Sequence, residues 1–484
     1  MNNNRSPWAW VPTLYFAEGL PYVIVMTVSL VLYKQMGLSN ADITLYTSWL
    51  YLPWVIKPLW SPFVDLVKTK RWWVVTMQLL VGAALGGVAF TIPTSFWLQG
   101  SLAFFWLMAF ASATHDIAAD GFYMLGLDQH QQAWFVGIRS TFYRVATLFG
   151  QGVLIMIAGN LQVVSKGSIP FSWALVFYGT AGLILALWLW HGYILPRPSD
   201  DKAAGQQQTL FGIVSENRRR YFFRMALVTL ATFLVVFVLS ELLPLAASFL
   251  HSLFYIYLVI LVFYTISPGF RDTLYTFFTK GPVRFVAIAV LFMLLYRMPE
   301  GLLAKVSTLF LLDGRSSGGL GIAPQELGMV QGTVGVIGLT LGGILGGMAA
   351  GRHGLRRWLW PMVCAITLPD LVYVYMSYAL PTSLLIVNVC VFIEQFGYGF
   401  GFTAYMLYLI YFCQGQFQTS HYALCTAFMA LSMMIPGLFA GALQQAVGYQ
   451  TFFLIVVAAC AVTFIVTAFI DVDPEFGKKE KKES

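Results

Sequence analysis

Fourteen stretches of about twenty or more mostly apolar residues follow one another along this chain, each long enough to cross a bilayer as a helix. They lie at 8–32, 43–64, 72–93, 97–124, 134–158, 169–195, 221–246, 249–266, 287–311, 325–349, 358–379, 383–412, 419–444 and 450–471. The runs are continuous rather than alternating, which favours membrane helices over a β-barrel. Only 10% of the 484 residues are Asp, Glu, Lys or Arg and 58% are hydrophobic, too little charge to coat a soluble protein of this size. A secreted disulfide scaffold, a disordered chain and an ordinary cytosolic enzyme are thereby excluded. The first stretch does not read as a signal peptide. It is too long, it holds Pro12, Glu18 and Pro21, and no small-residue cleavage site follows.

Lys and Arg set the orientation of such a chain. With the N-terminus inside, 20 of the 28 basic residues fall in cytoplasmic segments, among them Lys68, Lys70, Arg71, Arg218, Arg219, Arg220, Arg352, Arg356 and Arg357. Only Lys34, Lys166 and Arg315 fall on the other side, and five lie within spans. Both termini are therefore expected in the cytoplasm. The net charge of +7 is a topology signal rather than a sign of nucleic-acid binding, and the tail KKEKKE at 478–483 reads as a solvated end touching anionic lipid. The five cysteines have no metal-ligand spacing and read as small core residues, so no metal and no cofactor are expected.

A faint internal repeat organises the spans. Glu18-Gly19-Leu20 in the first finds its match in Glu300-Gly301-Leu302, and Ala41-Asp42-Ile43 in Gln325-Glu326-Leu327. The basic loops at 61–72 and 346–358 correspond in the same way. A near-constant offset means a six-helix unit, an insertion of two helices at 221–266, and a second six-helix unit in parallel orientation. Parallel repeats of six spans are the plan of major facilitator transporters. We number the core spans 1–12.

Several motifs then point to one group. YFAEGLP (15–21), KPLWSPFVD (57–65), ASATHDIAADG (111–121), FYR (142–144), LYRMPEG (295–301) and FIEQFGYGFG (392–401) resemble those of AmpG-type muropeptide permeases, relatives of acetyl-coenzyme A transporters within the major facilitator superfamily. The resemblance covers both halves but not the insert. Repeat and resemblance together imply an all-α membrane protein of the major facilitator fold, with two six-helix domains plus two inserted helices, fourteen transmembrane helices in all. Residues 1–196 would form the N-terminal domain, 197–284 a cytoplasmic linker with the inserted helices, 285–472 the C-terminal domain and 473–484 the basic tail.

Ionisable residues inside a membrane are costly and are functional candidates by default. Twelve fall within the expected spans: Glu18, Lys57, Asp116, Asp120, Arg139, Arg144, Glu241, Arg297, Glu300, Lys305, Asp370 and Glu394. In the architecture that the resemblance implies, spans 1, 4, 7 and 10 line a central cavity with 2, 5, 8 and 11 beside them. Ten of the twelve lie on spans 1, 2, 4, 5, 7 and 10, so the cavity is expected to be polar. Glu241 reads as a helix-end contact in the insert, and Asp370 has no assignment. Asp120 and Arg139 are equidistant along the chain from the loop between spans 4 and 5, and Asp116 and Arg144 nearly so. Glu18 and Lys57 flank the first loop in the same way. Each pair is expected at one depth, with at least one carboxylate–guanidinium pair in the cytoplasmic half.

The roles follow from charge type. Burial favours the protonated form of a carboxylate and a nearby cation the ionised form, a competition that lets a proton exchange with substrate. Glu394, Glu300, Asp116 and Glu18, in that order, are the candidates for proton coupling; the resemblance carries an acidic residue onto Glu300 and a Glu onto Glu394. Lys57, Arg144, Arg297 and Lys305 would meet substrate carboxylates, with Trp54 and Tyr398 as stacking surfaces for sugar rings. Asp116–Arg144, Asp120–Arg139 and Asp65 are expected to brace or gate the domains. His115 is either a hydrogen-bonded packing residue or a proton handler. The glycines of span 8 lack the strand and Lys-Ser/Thr of a phosphate loop and read as close helix packing.

The expected function is proton-coupled import of anhydro-muropeptides by rocking alternating access, in the inner membrane of a bacterium. The partners would be a glycopeptide-like small molecule, protons and the bilayer, with the chain acting as a monomer. Alternatives are a carrier of another bulky anion such as an acyl-coenzyme A, or a non-transporting sensor of cell-wall fragments. An intramembrane hydrolase built on His115, Asp116 and Asp120 lacks a second cluster to complete a metal site, so no catalytic residue is expected.

Overall fold

The computed structural model describes residues 5–198, 201, 229, 232, 233, 235, 254, 257, 258, 261, 268–414, 418–474 and 476. Among them the regular structure is helical, with no strand. Among the described residues ten helices are long and apolar enough to cross a membrane. We number the core helices α1 (Pro7–Gln35), α3 (Lys70–Thr91), α4 (Trp97–Gly126), α5 (129–164), α6 (Ile169–Ile194), α7 (Val283–Leu312), α8 (Pro324–His353), α9 (Leu355–Ala379) and α10 (Leu384–Cys413). The run Gln418–Phe469 turns at Gly448, whose φ of 77° is open to glycine at little cost, and so supplies α11 (418–447) and α12 (449–469). Helix α2 (40–66) comes in two pieces, Asn40–Trp49 and Leu52–Leu66. Pro53 stands in the first turn of the second piece, where its missing N–H costs nothing. The expected fourteen spans are not all present among the described residues, because the insert at 221–266 lies almost entirely outside them, as does most of the tail at 473–484.

Proline also breaks two deeper helices. In α7 the pieces Val283–Leu295 and Met298–Leu312 meet at Tyr296-Arg297, just ahead of Pro299. In α9 a 3₁₀ turn, Leu368–Asp370, stands at Pro369.

In the first half α3 packs on α4 and α6, and α1 on α5; in the second, α10 packs on α8 and α9. The halves meet along α2 against α11 and α5 against α8. At the second seam both helices widen into π turns, Phe149–Leu154 and Gly328–Gly335. A Cβ placed on Gly332 there would fall 2.2 Å from the backbone of Gly152. Three further glycines of span 8 serve a different contact. Gly338, Gly342 and Gly346 face the backbone of α10 within the same half.

The apolar core is unevenly shared. Its largest part joins Val25, Val31 and Leu154 of the first half to Leu303, Leu309 and Phe453 of the second, at the face remote from the termini. Toward the terminal face the first half has its own core around Trp10, Ala119 and Phe122. The second half has another around Phe292, Tyr405 and Phe412, touched from the first half by Leu59 of α2. The two halves are thus welded at one end and more independent at the other.

Candidate functional site

Between the halves α1, α2, α4, α5, α7 and α10 bring the candidate residues together in two groups. In the first half Lys57 Nζ lies 2.6 Å from Asp116 Oδ2, and Arg139 Nη2 lies 2.8 Å from Asp120 Oδ1. Tyr15 donates its hydroxyl to the same Asp120 oxygen at 3.2 Å, and the Arg139 guanidinium sits 4.5 Å from the Tyr15 ring centre. Glu18 is 6% exposed, and among the described residues its Oε2 has no hydrogen-bond partner.

Two expected pairings are corrected. Asp116 meets Lys57 rather than Arg144, and Lys57 does not meet Glu18. Equal distance from a loop fixes height but not direction around the helix. Arg139 and Arg144, five residues apart, diverge by roughly 140°. Arg139 therefore faces α4, while Arg144 points across the seam, its Nη2 3.3 Å from where a Cβ on Gly343 of α8 would be. The side chain of Asp65 lies outside what is described, and Glu241 lies outside the described residues.

His115 turns away from Asp116 into the first half. Its Nε2 is 2.9 Å from Gln78 Nε2, and Gln78 Oε1 is 2.9 Å from His191 Nδ1. His191 Nε2 continues to Thr13 Oγ1 at 2.9 Å. The chain ties α4 through α3 and α6 to α1, which favours the packing alternative for His115.

The second group surrounds the break in α7. Arg297 donates to the Tyr398 hydroxyl, and its guanidinium lies 4.7 Å from the Phe402 ring centre and 5.9 Å from that of Tyr405. Cation and rings attract through the ring quadrupoles, yet among the described residues Arg297 Nε has no hydrogen-bond partner. Tyr405 is itself anchored by a 2.7 Å bond to the Met293 carbonyl, and Tyr296 by one of 3.0 Å to Gly401. Glu300 follows in the first turn of the second α7 piece, where the helix dipole favours a carboxylate. Glu394 is 3% exposed and takes two bonds from Gln395 Nε2, the shorter 2.9 Å. Lys305, five residues beyond Glu300, donates to Thr47 Oγ1 at 2.6 Å. Trp54 packs edge-on to Tyr22, ring centres 5.1 Å apart. Asp370, at the 3₁₀ break, accepts from the Cys460 thiol at 3.4 Å. Among the described residues no group of three or more His, Cys, Asp or Glu could hold a metal.

A third polar group joins the halves at the welded face, and none of its members was singled out from sequence. Lys34 at the end of α1 pairs with Asp313 at the end of α7 and donates to Asn40 Oδ1 at 2.7 Å. Asn40 Nδ2 lies 3.0 Å from Asp313 Oδ2, 2.8 Å from Gln444 Oε1 and 3.0 Å from the Tyr449 hydroxyl, which also donates to Asp313. Burial pushes the Asp313 carboxyl up, but hydrogen bonds from Lys34, Tyr449 and Asn40 prevail and hold it below the usual range. The signal was available. Lys34 is one of three cations expected on that side, and Asp313 sits at the corresponding end of the second repeat.

No family model matches the chain. Among curated proteins it is 22% identical over 456 residues to "Putative transporter AmpG 4" of Rickettsia conorii, covering 91% of each chain. It is 24% identical over 453 residues to "Anhydromuropeptide permease" of Escherichia coli, covering 92% of this chain and 76% of that one. Among solved structures it superposes on a POT family transporter with a TM-score of 0.65 at 13% identity, covering 96% of both chains. The nucleoside transporter NupG gives 0.59 at 14% identity, covering 96% of this chain and 99% of that one. The xylose transporter XylE of E. coli gives 0.58 at 10% identity, covering 94% and 95%. The chain is thus similar to AmpG-type permeases over most of its length and has the major facilitator fold, that of a multi-pass membrane transporter of small molecules.

Proposed function

We propose that the chain imports anhydro-muropeptide-like glycopeptides across the inner membrane of a bacterium, driven by protons, through rocking of its two halves. The observation that carries this reading is the setting of Arg297. A guanidinium with an unpartnered Nε, bordered by Tyr398, Phe402 and Tyr405, stands at the break of α7 with Glu300 one turn away. Such a place offers a cation to a substrate carboxylate, ring faces to a sugar, and an acid to a proton. Glu394, Glu300, Asp116 and Glu18 are the coupling carboxylates in this proposal. Arg297, Arg144 and Lys57 approach the substrate with Tyr398 and Trp54, and Asp120–Arg139 with Asp65 braces the first half.

The bias of basic residues supports cytoplasmic termini, so the welded face looks outward and the terminal face inward. The domain plan, 1–196 and 285–472 joined by 197–284, supplies the two rocking bodies, and a path enclosed by one chain supports a monomer. The relatives' printed names support the substrate class. The test is uptake of labelled anhydro-muropeptide by proteoliposomes, with and without an imposed pH gradient. Accumulation that rises with the gradient and falls in E394Q or E300Q is expected. Binding without accumulation would replace the carrier by a sensor, and accumulation indifferent to the gradient would remove proton coupling.

A further inference from the structure

We propose, resting on the transport reading above, that the cavity around Lys305 is a second anion subsite, separate from Arg297, which takes a carboxylate on the peptide arm of the substrate. The Lys305 side chain is 5% exposed. The hydrogen-bond partner of its Nζ is Thr47 Oγ1 at 2.6 Å, and the Thr47 hydroxyl in turn gives its own hydrogen to the Ile43 carbonyl at 2.7 Å. The ammonium therefore faces a neutral oxygen and the ring of Tyr51, 5.4 Å away. Among the described residues no carboxylate lies within ion-pair distance of it, whereas Lys57 has Asp116 and Lys34 has Asp313. A buried ammonium carries a desolvation cost that a single neutral partner does not offset.

The wall of the space beside it is part polar, with Thr27 and Tyr51 alongside apolar residues such as Leu30. Met26, Thr27, Tyr51, Thr308 and Met433 line the cavity with Lys305, drawn from α1, α2, α7 and α11. Thr27 Oγ1 accepts from Gln151 at 3.0 Å, which leaves the Thr27 hydroxyl hydrogen available to a ligand. Thr308 is turned to Gln331 at 2.9 Å. Because both halves contribute walls, an anion held there draws them together.

Lys305 lies eight residues along α7 from Arg297, roughly 12 Å at the helical rise. The two cations thus measure the substrate: an elongated dianion reaches both, a compact monoanion only one. A free inorganic anion shares the chemistry, and the test separates the two sources. Anhydro-muropeptide with a free peptide carboxyl is compared with its C-terminal amide in proteoliposome uptake by the wild type, K305R and K305M. The wild type is expected to prefer the free acid by about tenfold or more in half-saturating concentration. K305R should keep the preference and K305M lose it. Equal handling of acid and amide by the wild type overturns the subsite even if K305M does not fold, and so does an undiminished preference in K305M. Competition by phosphate in the wild type, together with equal handling of the two peptides, overturns the substrate carboxylate in favour of an inorganic anion. Failure of the wild type to take up either peptide would instead strike the transport reading itself.

Discussion

A lysine ammonium in the bilayer interior is tolerable only against a compensating charge or dipole, so the partner of Lys57 decides what the residue does. The Lys57–Asp116 pair joins α2 to α4 with side chains 19% and 22% exposed, while Asp120 and Arg139 are 43% and 30% exposed. Removing one member of the drier pair leaves a charge uncompensated. K57A should therefore cost roughly 3 kcal/mol, and D120N under about 1 kcal/mol because water screens the second pair. Thermal unfolding of the purified variants in detergent reads the order, and the K57A/D116A double variant should recover most of the loss. A Tm lower for D120N than for K57A would refute this ranking. The presence of these charges in one polar layer was legible from their positions in apolar runs. The partner of Asp116 was not, because chain distance from a loop says nothing about azimuth, and Asp116 could face Arg144 or Lys57 at the same height.

Helices that approach closely need glycine where backbone meets backbone, and α8 uses it on two faces. A Cβ on Gly342 would fall 2.1 Å from the Phe396 carbonyl in the same half, and one on Gly332 2.2 Å from Gly152 in the other half; one on Gly347 meets nothing within 4 Å. The first contact belongs to the fold of one half and the second to the seam between halves. G342A should lower the unfolding temperature, while G332A should loosen the seam. G347A is the neutral reference. A cysteine replacing Leu30, a cavity residue, should react faster with a membrane-impermeant maleimide applied to the welded face in the G332A background than in the G347A background. Equal rates would mean the seam does not move as a unit. The repeated small residues of span 8 announced close packing, but which stripe faced α10 and which faced α5 depends on the π turns Phe149–Leu154 and Gly328–Gly335. An extra residue per turn shifts every side chain beyond it, and no periodicity in the sequence marks it. The break at Arg297 was closer to legible, since Pro299 follows it.

For the molecule as a whole, the distribution of core and charge points to one resting arrangement. Apolar packing across the halves is concentrated near Asp313, with Leu59 of α2 touching the second half's core at the other face, and the Lys34–Asn40–Asp313–Tyr449 group closes the Asp313 end. The bias of basic residues gives the two faces different expected sides, yet which face is closed depends on contacts between residues some 280 positions apart, and no local pattern carries that. The state of Asp313 then sets how the closed end responds to acid. Its carboxyl is held below the usual range, so the ionised form is favoured by closure. Such a group stabilises the closed state above its ordinary value near pH 4, and the stabilisation is lost as pH falls through the depressed value. Closure at this face should therefore be constant across the neutral range and loosen only in stronger acid. D313N should loosen it at every pH. Spin labels at V164C and S316C, both exposed on this face and on opposite halves, give the distance. It should lengthen in D313N at neutral pH and stay fixed in the parent chain until the pH drops below about 4. A parent distance that already lengthens between neutral pH and about 5 would show that a different group, one titrating nearer neutrality, controls this end. The proton of the proposed coupling would then have to be sought at the welded face rather than among Glu300, Glu394, Asp116 and Glu18.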